Sequence, residues 1–347
     1  MIDYLIIGAG LAGISFAETA LRSNKKIFVV DCGQNSSSNV AAGLYNPVIL
    51  KRFTPVWDAQ NQLILLEEFY KNLETKLRQE FDVKKPILRK FFSIEEQNNW
   101  YIASDKVGLT PFLSTKLVTD KFLGIESPYD YGEVKETGYI EVALLLKSYK
   151  QYLEDANLYL QESFHYGLLQ VENDFINYNG VRAKHIVFAE GFGMHQNPFF
   201  NHLPLDGVKG ELFIIKAPQL DLDVIVNTSV FILPLGDHLF KVGATYNWND
   251  KTSSPTEEGK QELIDRIKEI LTCDFEIISH YAGVRPTVND RKPLVGTHPD
   301  YKNVHILNGL GTRGVMLGPS MAKALFEFIE DGTPLAPEIN INRFKKK

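Results

Sequence analysis

Asp3-Tyr4-Leu5-Ile6-Ile7-Gly8-Ala9-Gly10-Leu11-Ala12-Gly13 is the stretch whose reading decides the fold. An apolar run of strand character leads directly into glycines with G-x-G-x-x-G spacing. A helix-compatible segment follows from Leu11 to about Arg22, then the apolar run Ile27-Phe28-Val29-Val30, and then Asp31. Strand, glycine turn, helix, strand and acid in that order describe a dinucleotide-binding βαβ unit. Gly8 allows the tight turn, Gly10 lets backbone approach a pyrophosphate, and Gly13 lets helix and strand pack closely. Ala9, Leu11 and Ala12 complete the turn, so the helix N-terminus presents free N–H groups and a positive dipole end to phosphates. Asp31 is placed to accept hydrogen bonds from ribose hydroxyls. An acid there disfavours a 2′-phosphate and hence NADP, while FAD and NAD both fit this stretch.

Composition sets the frame around that unit. A chain of 347 residues can bury a large core and is long enough for two domains. Its hydrophobic content of 44% and charged content of 23% are ordinary for a globular protein. A net charge of −6 and a pI near 5.8 carry no electrostatic footprint for nucleic acid. The basic end Lys345-Lys346-Lys347 reads as a solvated tail. Cys32 and Cys273 form neither a metal-ligand nor a disulfide framework, which suits a reducing cytoplasm. The apolar N-terminus lacks a basic leader and carries Asp3, Glu18 and the glycine turn, so it does not read as a signal peptide. No apolar run is long enough to predict a membrane span.

Beyond Asp31 lies a polar loop, 32–39, followed by Val40-Ala41-Ala42-Gly43. Small residues there permit close approach by a flat ligand, and Cys32, Ser38, Ala41, Ala42 and Gly43 are expected at the cofactor. Asp58 is expected to cap a helix whose apolar positions Leu63, Leu66, Tyr70, Leu73 and Leu77 recur at helical spacing. A second amphipathic helix is expected over about 141–154, and strands over 158–161 and 168–171. Another strand, His185-Ile186-Val187-Phe188-Ala189, ends at Glu190-Gly191. From 210 to 244 β-branched and aromatic residues predict an antiparallel sheet. A helix over about 256–271 and a strand over 275–282 follow. The chain closes with Val304-His305-Ile306-Leu307-Asn308, the turn Gly309-Leu310-Gly311-Thr312-Arg313-Gly314, and a helix expected to open near Pro319.

Strand–glycine turn–helix patterns thus stand at both ends of the chain, with a β-rich block between. The fold class expected is α/β: a Rossmann-like dinucleotide domain assembled from 1–80, 138–205 and 284–347. Residues 81–137 and 206–283 form an inserted α+β substrate domain built on an antiparallel sheet.

Taken in order, the chain resembles the D-amino-acid oxidase (DAO) family of FAD-dependent oxidoreductases, whose nucleotide domain is of the GR2/DAO type. The resemblance is carried by the N-terminal fingerprint, Ala41-Ala42-Gly43, and Ile186-Val187-Phe188-Ala189-Glu190-Gly191. It continues through Val208-Lys209-Gly210-Glu211-Leu212, Val242-Gly243-Ala244-Thr245, Gly283-Val284-Arg285-Pro286, Pro293-Leu294-Val295-Gly296 and the turn 309–314. The Gly243-Ala244-Thr245 and Gly283-Val284-Arg285-Pro286 segments are similar to glycine oxidases. Tyr45-Asn46-Pro47 and Gly311-Thr312-Arg313-Gly314 are similar to the oxidase half of the bifunctional enzyme that modifies the tRNA wobble uridine; no counterpart of its methyltransferase half is read here. The resemblance implies FAD as the dinucleotide. No cysteine accompanies the Arg285 segment as in covalently flavinylated sarcosine oxidases, so the FAD is expected to be non-covalent. Leu168, Gly191, Gly309, Gly311, Thr312, Arg313, Gly314 and Val315 join the expected cofactor contacts.

The activity implied is oxidation of the C–N bond of a small amine or amino acid, glycine or an N-substituted glycine. Hydride passes to flavin N5, the imine hydrolyses, and oxygen or another acceptor reoxidises the flavin. The alternatives are oxidation of a carboxymethylaminomethyl group on tRNA and an FAD-bound module without turnover. The sequence sets no oligomeric state.

Arg285 resembles the residue that binds a substrate carboxylate, a task suited to the planar two-pronged guanidinium; a structural ion pair is its other reading. Arg313 stands in a turn that lies against the flavin in resembling enzymes, and either reaches the substrate or positions that turn. Tyr246, with Trp248, lines the pocket or packs in the core. The histidines show no metal-ligand spacing, no metal is expected, and no general base is required because an amine can enter neutral.

Overall fold

The computed structural model describes residues 1–33 and 37–344. Gln34, Asn35 and Ser36 of the polar loop and the tail 345–347 lie outside the described residues.

The opening strand Ile2–Ile7 sits at the centre of a mixed eight-stranded sheet. Alternation sends Tyr4 and Ile6 into one core and Leu5 and Ile7 into another, so the strand is buried on both faces. It pairs in parallel with Ile27–Asp31 on one side and Val181–Phe188 on the other. Tyr159–Gln161 extends the first side and Val304–Asn308 the second, both in parallel. The expected strand at 168 begins instead at Leu169, because Leu168 belongs to a 3-10 turn, Tyr166–Leu168.

Helix Leu11–Arg22 has the expected bounds and packs against the last helix through two small residues. A methyl group on Gly314 would lie 2.8 Å from Leu11 Cδ1, and one on Gly318 would lie 2.6 Å from Ser15 Oγ. These residues are one helical turn apart, so the last helix offers a bare stripe that admits the Leu11 and Ser15 side chains. The last helix is Gly314–Glu330, opening five residues before the expected Pro319, which lies inside it. Proline offers no N–H to the carbonyl four residues back, that of Val315. The Tyr70 hydroxyl, buried on helix Ala59–Leu77, donates to that carbonyl at 2.9 Å. The replacement bond allows a proline in the helix interior and fixes helix Ala59–Leu77 against it. Asp58 precedes that helix but does not cap it: its φ of +51° turns the side chain away, and Oδ1 accepts from Asn61 Nδ2 at 2.7 Å.

The second large sheet also has eight strands. Its order is Glu276–Val288, Leu205–Lys216, Leu239–Gly243, Phe231–Gly236, Ile225–Asn227, Ile87–Lys90, Tyr131–Val134 and Leu113–Val118. All neighbours are antiparallel except Ile225–Asn227 with Ile87–Lys90. Helix Glu257–Lys268 covers one face, burying Leu263 and Ile267 against Phe213 and Ile215. The other face contributes Ile87, Ile225 and Leu233 to the core shared with helices Leu11–Arg22, Ala59–Leu77 and Gly314–Glu330. Strand Glu276–Val288 is continuous across 283/284 and carries Arg285. Among the described residues no helix is long and apolar enough to cross a membrane, and no group of His, Cys, Asp or Glu could hold a metal ion.

Under the nucleotide sheet, His185 Nδ1 lies 3.0 Å from His305 Nε2, and His305 Nδ1 lies 2.7 Å from Thr297 Oγ1. Burial and the neighbouring His185 hold His305 well below the ordinary histidine value of 6.5, and burial lowers His185 as well. The unfolded chain therefore binds protons that the folded chain refuses once the pH falls below 6.5. Unfolding free energy, measured by denaturant titration, should fall between pH 7 and 5.5, with His305 alone contributing a slope approaching about 1.4 kcal/mol per pH unit. His305→Gln should flatten that dependence; an unchanged slope would show that the pair does not control it.

Candidate active site

The glycine turn is shaped by backbone contacts that leave no space for side chains. A Cβ on Gly13 would lie 1.8 Å from the Gly8 carbonyl oxygen, and one on Gly8 would lie 2.5 Å from that of Ala189. Gly8 also has a φ of +101°. Gly10 caps helix Leu11–Arg22 without a side-chain acceptor, leaving first-turn N–H groups such as those of Ala12 and Gly13 directed outward. Ser38 stands beside Gly10 and its Oγ accepts from the Leu11 N–H at 3.2 Å. Asp31 Oδ1 accepts from the Ala9 N–H at 3.0 Å and Oδ2 from the Gly33 N–H at 2.8 Å. Asp31 therefore holds the turn in shape, a role not read from the sequence, while a carboxylate with about four acceptor sites retains capacity for ribose hydroxyls.

Four other glycine-bearing segments make close contacts of their own, at Gly43, Gly283, Gly191 and Gly309. Gly43, at φ +74°, passes so close to Ile140 that a Cβ would lie 1.9 Å from its carbonyl oxygen. Ala41 and Ala42 before it are half-buried. Gly283 approaches the short helix Ser37–Val40, bringing the second sheet against this loop. Buried Asn308 ties the two remaining glycine turns together: its Nδ2 donates to the Gly191 carbonyl at 2.9 Å and its Oδ1 accepts from the Gly309 N–H at 2.7 Å. Glu190, raised by burial, accepts from Tyr166 Oη and from Asn197 Nδ2 at 2.7 Å, fixing the approach to Gly191. Cys32 is exposed, and Leu168 is 52% exposed and outside the hydrophobic cores.

Arg285, Tyr246 and Arg313 are brought together at the edge of the second sheet. Arg285 faces the same side of the sheet as Val208 and Gly210, and a Cβ on Gly210 would lie 2.0 Å from its Nη2. The guanidinium occupies the volume that glycine leaves. Nη1 donates to the Thr245 carbonyl at 3.2 Å, and the Tyr246 ring lies 4.6 Å from Cζ. Arg313 ends the 3-10 turn Gly311–Arg313, with Thr312 at its middle, and Gly311 lies against Pro286 and Thr287. Burial lowers both arginines, and the Tyr246 ring opposes the effect in each. Among the described residues the arginines paired with carboxylates are Arg22, Arg89, Arg266 and Arg343; Arg285 and Arg313 have no such partner. Val315 is buried, its carbonyl taken by Tyr70.

Lys241 was not among the expected site residues. Strand alternation puts Phe240 and Val242 in the core under helix Glu257–Lys268, and so Lys241 on the face opposite. Burial lowers its ammonium, with the Glu141 carboxylate opposing. A charged residue between two apolar ones in Phe240-Lys241-Val242 was the available signal. Two surface clefts, of about 800 and 590 Å³, are lined by none of the expected site residues.

A glycine-rich dinucleotide cradle on one sheet, with buried arginines on and beside a second, defines a nucleotide-binding α/β enzyme fold. The chain belongs to the family described as DAO, FAD dependent oxidoreductase, which matches residues 3–328. It is similar to glycine oxidase of Bacillus subtilis (strain 168), 26% identical over 221 residues and 59% of each chain. It is also similar to the tRNA 5-methylaminomethyl-2-thiouridine biosynthesis bifunctional protein MnmC of Marinobacter nauticus, 28% identical over 165 residues, 43% of this chain and 26% of that one. The matches therefore span about three fifths of the first relative's length and a quarter of the second's. Among solved structures, glycine oxidase from Bacillus cereus ATCC 14579 superposes with a TM-score of 0.76 at 20% identity, covering 96% of both chains. Relatives of both kinds named by the resemblance are thus found. The cofactor is FAD, and the bare glycines, open helix N-terminus and Asp31 fit it.

Asn308→Ala would leave the Gly191 carbonyl and the Gly309 N–H without partners, a cost of about 1–3 kcal/mol. FAD binding to the apoprotein, followed by flavin fluorescence, should weaken roughly tenfold or more. Wild-type affinity in the variant would remove Asn308 from the cofactor's support.

Proposed function

We propose that the protein oxidises the C–N bond of a small amine or amino acid carrying a carboxylate, of the glycine or N-substituted glycine class. The observation that supports this is Arg285, a desolvated guanidinium with no carboxylate partner, one N–H engaged by the Thr245 carbonyl and its neighbourhood cleared by Gly210. An unpaired buried cation costs several kcal/mol, a cost offset when a ligand supplies the anion. A carboxylate bound there by two parallel bonds fixes one end of the substrate. The Tyr246 ring and the turn bearing Arg313 limit its position from two sides. Bound FAD supplies the two-electron acceptor for the carbon–nitrogen bond. The chain's residues exclude water, orient the amine and keep positive charge at the site. Burial lowers the Lys241 ammonium, which lies on the sheet face shared with Arg285.

A second reading, oxidation of a carboxymethylaminomethyl group on tRNA, is favoured by one observation. Arg291, Lys292 and Arg313 bring positive charge near the turn despite the net charge of −6: burial and then Arg291 lower Arg313, and burial and then Arg313 lower Lys292, with Glu338 and Asp290 opposing. Tight tRNA binding that weakens steeply with salt would select this reading.

Anaerobic mixing of the holoprotein with glycine, N-alkyl glycines and other amino acids should bleach the flavin absorbance for the carboxylate-bearing amines only. Arg285→Lys should retain FAD and raise KM by a factor on the order of 50, from the loss of a charge-assisted bidentate pair. A variant with wild-type KM would exclude Arg285 as the carboxylate site.

A further inference from the structure

Val208-Lys209-Gly210-Glu211-Leu212 works on both faces of its strand. Val208, Gly210 and Leu212 share the face that carries Arg285, whereas Lys209 and Glu211 turn toward helix Glu257–Lys268. Lys209 is fully buried, yet its ammonium donates to Asp250 Oδ2 at 2.5 Å, to Thr252 Oγ1 at 3.2 Å and to the Ser254 carbonyl. Asp250 Oδ1 accepts in turn from the Thr252 N–H at 2.8 Å. The backbones are joined as well: Lys209 and Asn247 exchange both N–H bonds at 2.9 Å. The Thr245 N–H reaches the Glu211 carbonyl at 3.1 Å, and the Glu211 N–H reaches Thr245 Oγ1 at 2.9 Å.

Glu211 secures the far end of the same loop. Its carboxylate accepts from the Thr256 N–H at 3.0 Å and from Thr256 Oγ1 at 2.7 Å, with His280 Nε2 also 2.7 Å away. Gly259 makes this possible, since a Cβ there would lie 2.4 Å from the carboxyl carbon. The carboxylate thus sits at the N-terminus of a 12-residue helix, where negative charge is favoured. Between the two anchors, the loop 245–256 supplies the Thr245 carbonyl and the Tyr246 ring to Arg285 and carries Trp248, 44% exposed.

Apolar residues could pin a loop to a sheet with less desolvation, so a buried ammonium with two carboxylates around it is a poor device for stability alone. What it provides is direction: several bonds of fixed geometry to three loop residues. We propose that Lys209 and Glu211 are positioning residues that fasten loop 245–256 in one place over Arg285, so that Tyr246 sets the width available to the substrate. The inference rests on the reading of Arg285 as the carboxylate site.

Asp250→Ala tests it from the loop side, where the side chain is 25% exposed and lies outside the strands of the sheet. The variant holoenzyme should keep wild-type FAD content, raise KM about tenfold and change kcat less than about threefold. Acrylamide should quench Trp248 emission more strongly, with a Trp248→Phe control subtracting the other tryptophans, and trypsin should cut faster at Lys251. Lys209→Met should reproduce these changes, and Asp250→Asn should restore part of the wild-type KM. Wild-type quenching, trypsin rate and KM in Asp250→Ala would overturn the proposal, as would loss of FAD in step with KM. If no amine bleaches the wild-type flavin, the reading of Arg285 fails, while the quenching and trypsin arms still decide whether Lys209 fastens the loop.

Discussion

The carbonyl of Gly8 lies where a side chain at position 13 would have to be, and the carbonyl of Ala189 lies where one at position 8 would be. This backbone-on-backbone approach is the constraint from which the rest follows. It brings the end of the first strand, the start of the first helix and the end of Val181–Phe188 to one point. First-turn N–H donors are left free there, the arrangement that favours an anion at a helix N-terminus. The seam between Leu11–Arg22 and Gly314–Glu330 extends the same principle, with Gly314 and Gly318 admitting Leu11 and Ser15. Turns contributed by residues far apart in sequence are therefore joined to one another.

Across from this cradle, strand Leu205–Lys216 separates two tasks by alternation alone. Its even positions clear space for the Arg285 guanidinium, and its odd positions hold the loop that touches that guanidinium. A two-residue period lets one short motif serve recognition on one face and rigidity on the other. Desolvation strengthens every electrostatic contact made in such a site, so small displacements of the loop matter more there than on an open surface.

The nucleotide half was legible because its requirements are local. A glycine turn, a helix of 12 residues and an acid at the end of the next strand appear in the sequence in the order in which they touch. Arg285 was legible only through resemblance, since nothing within a few residues of it shows that Gly210 vacates its space. Asn308 and Lys241 escaped notice because their partners lie on other strands. The helix start at Gly314 was misplaced because a proline at a first helical position is common, whereas a tyrosine from another helix completing Val315's bond has no local signature. Asp58 misled for a similar reason: the right residue type stood at the helix start, but a left-handed backbone pointed its oxygen elsewhere.

The placement of Val304–Asn308 beside Val181–Phe188 carries a consequence for biosynthesis. The glycine fingerprint is translated well before the strand Val304–Asn308, the Asn308 clamp and helix Gly314–Glu330 that pack beside it. The nascent βαβ unit must therefore persist with one flank of its sheet uncovered until Val181–Phe188 and then Val304–Asn308 have been made.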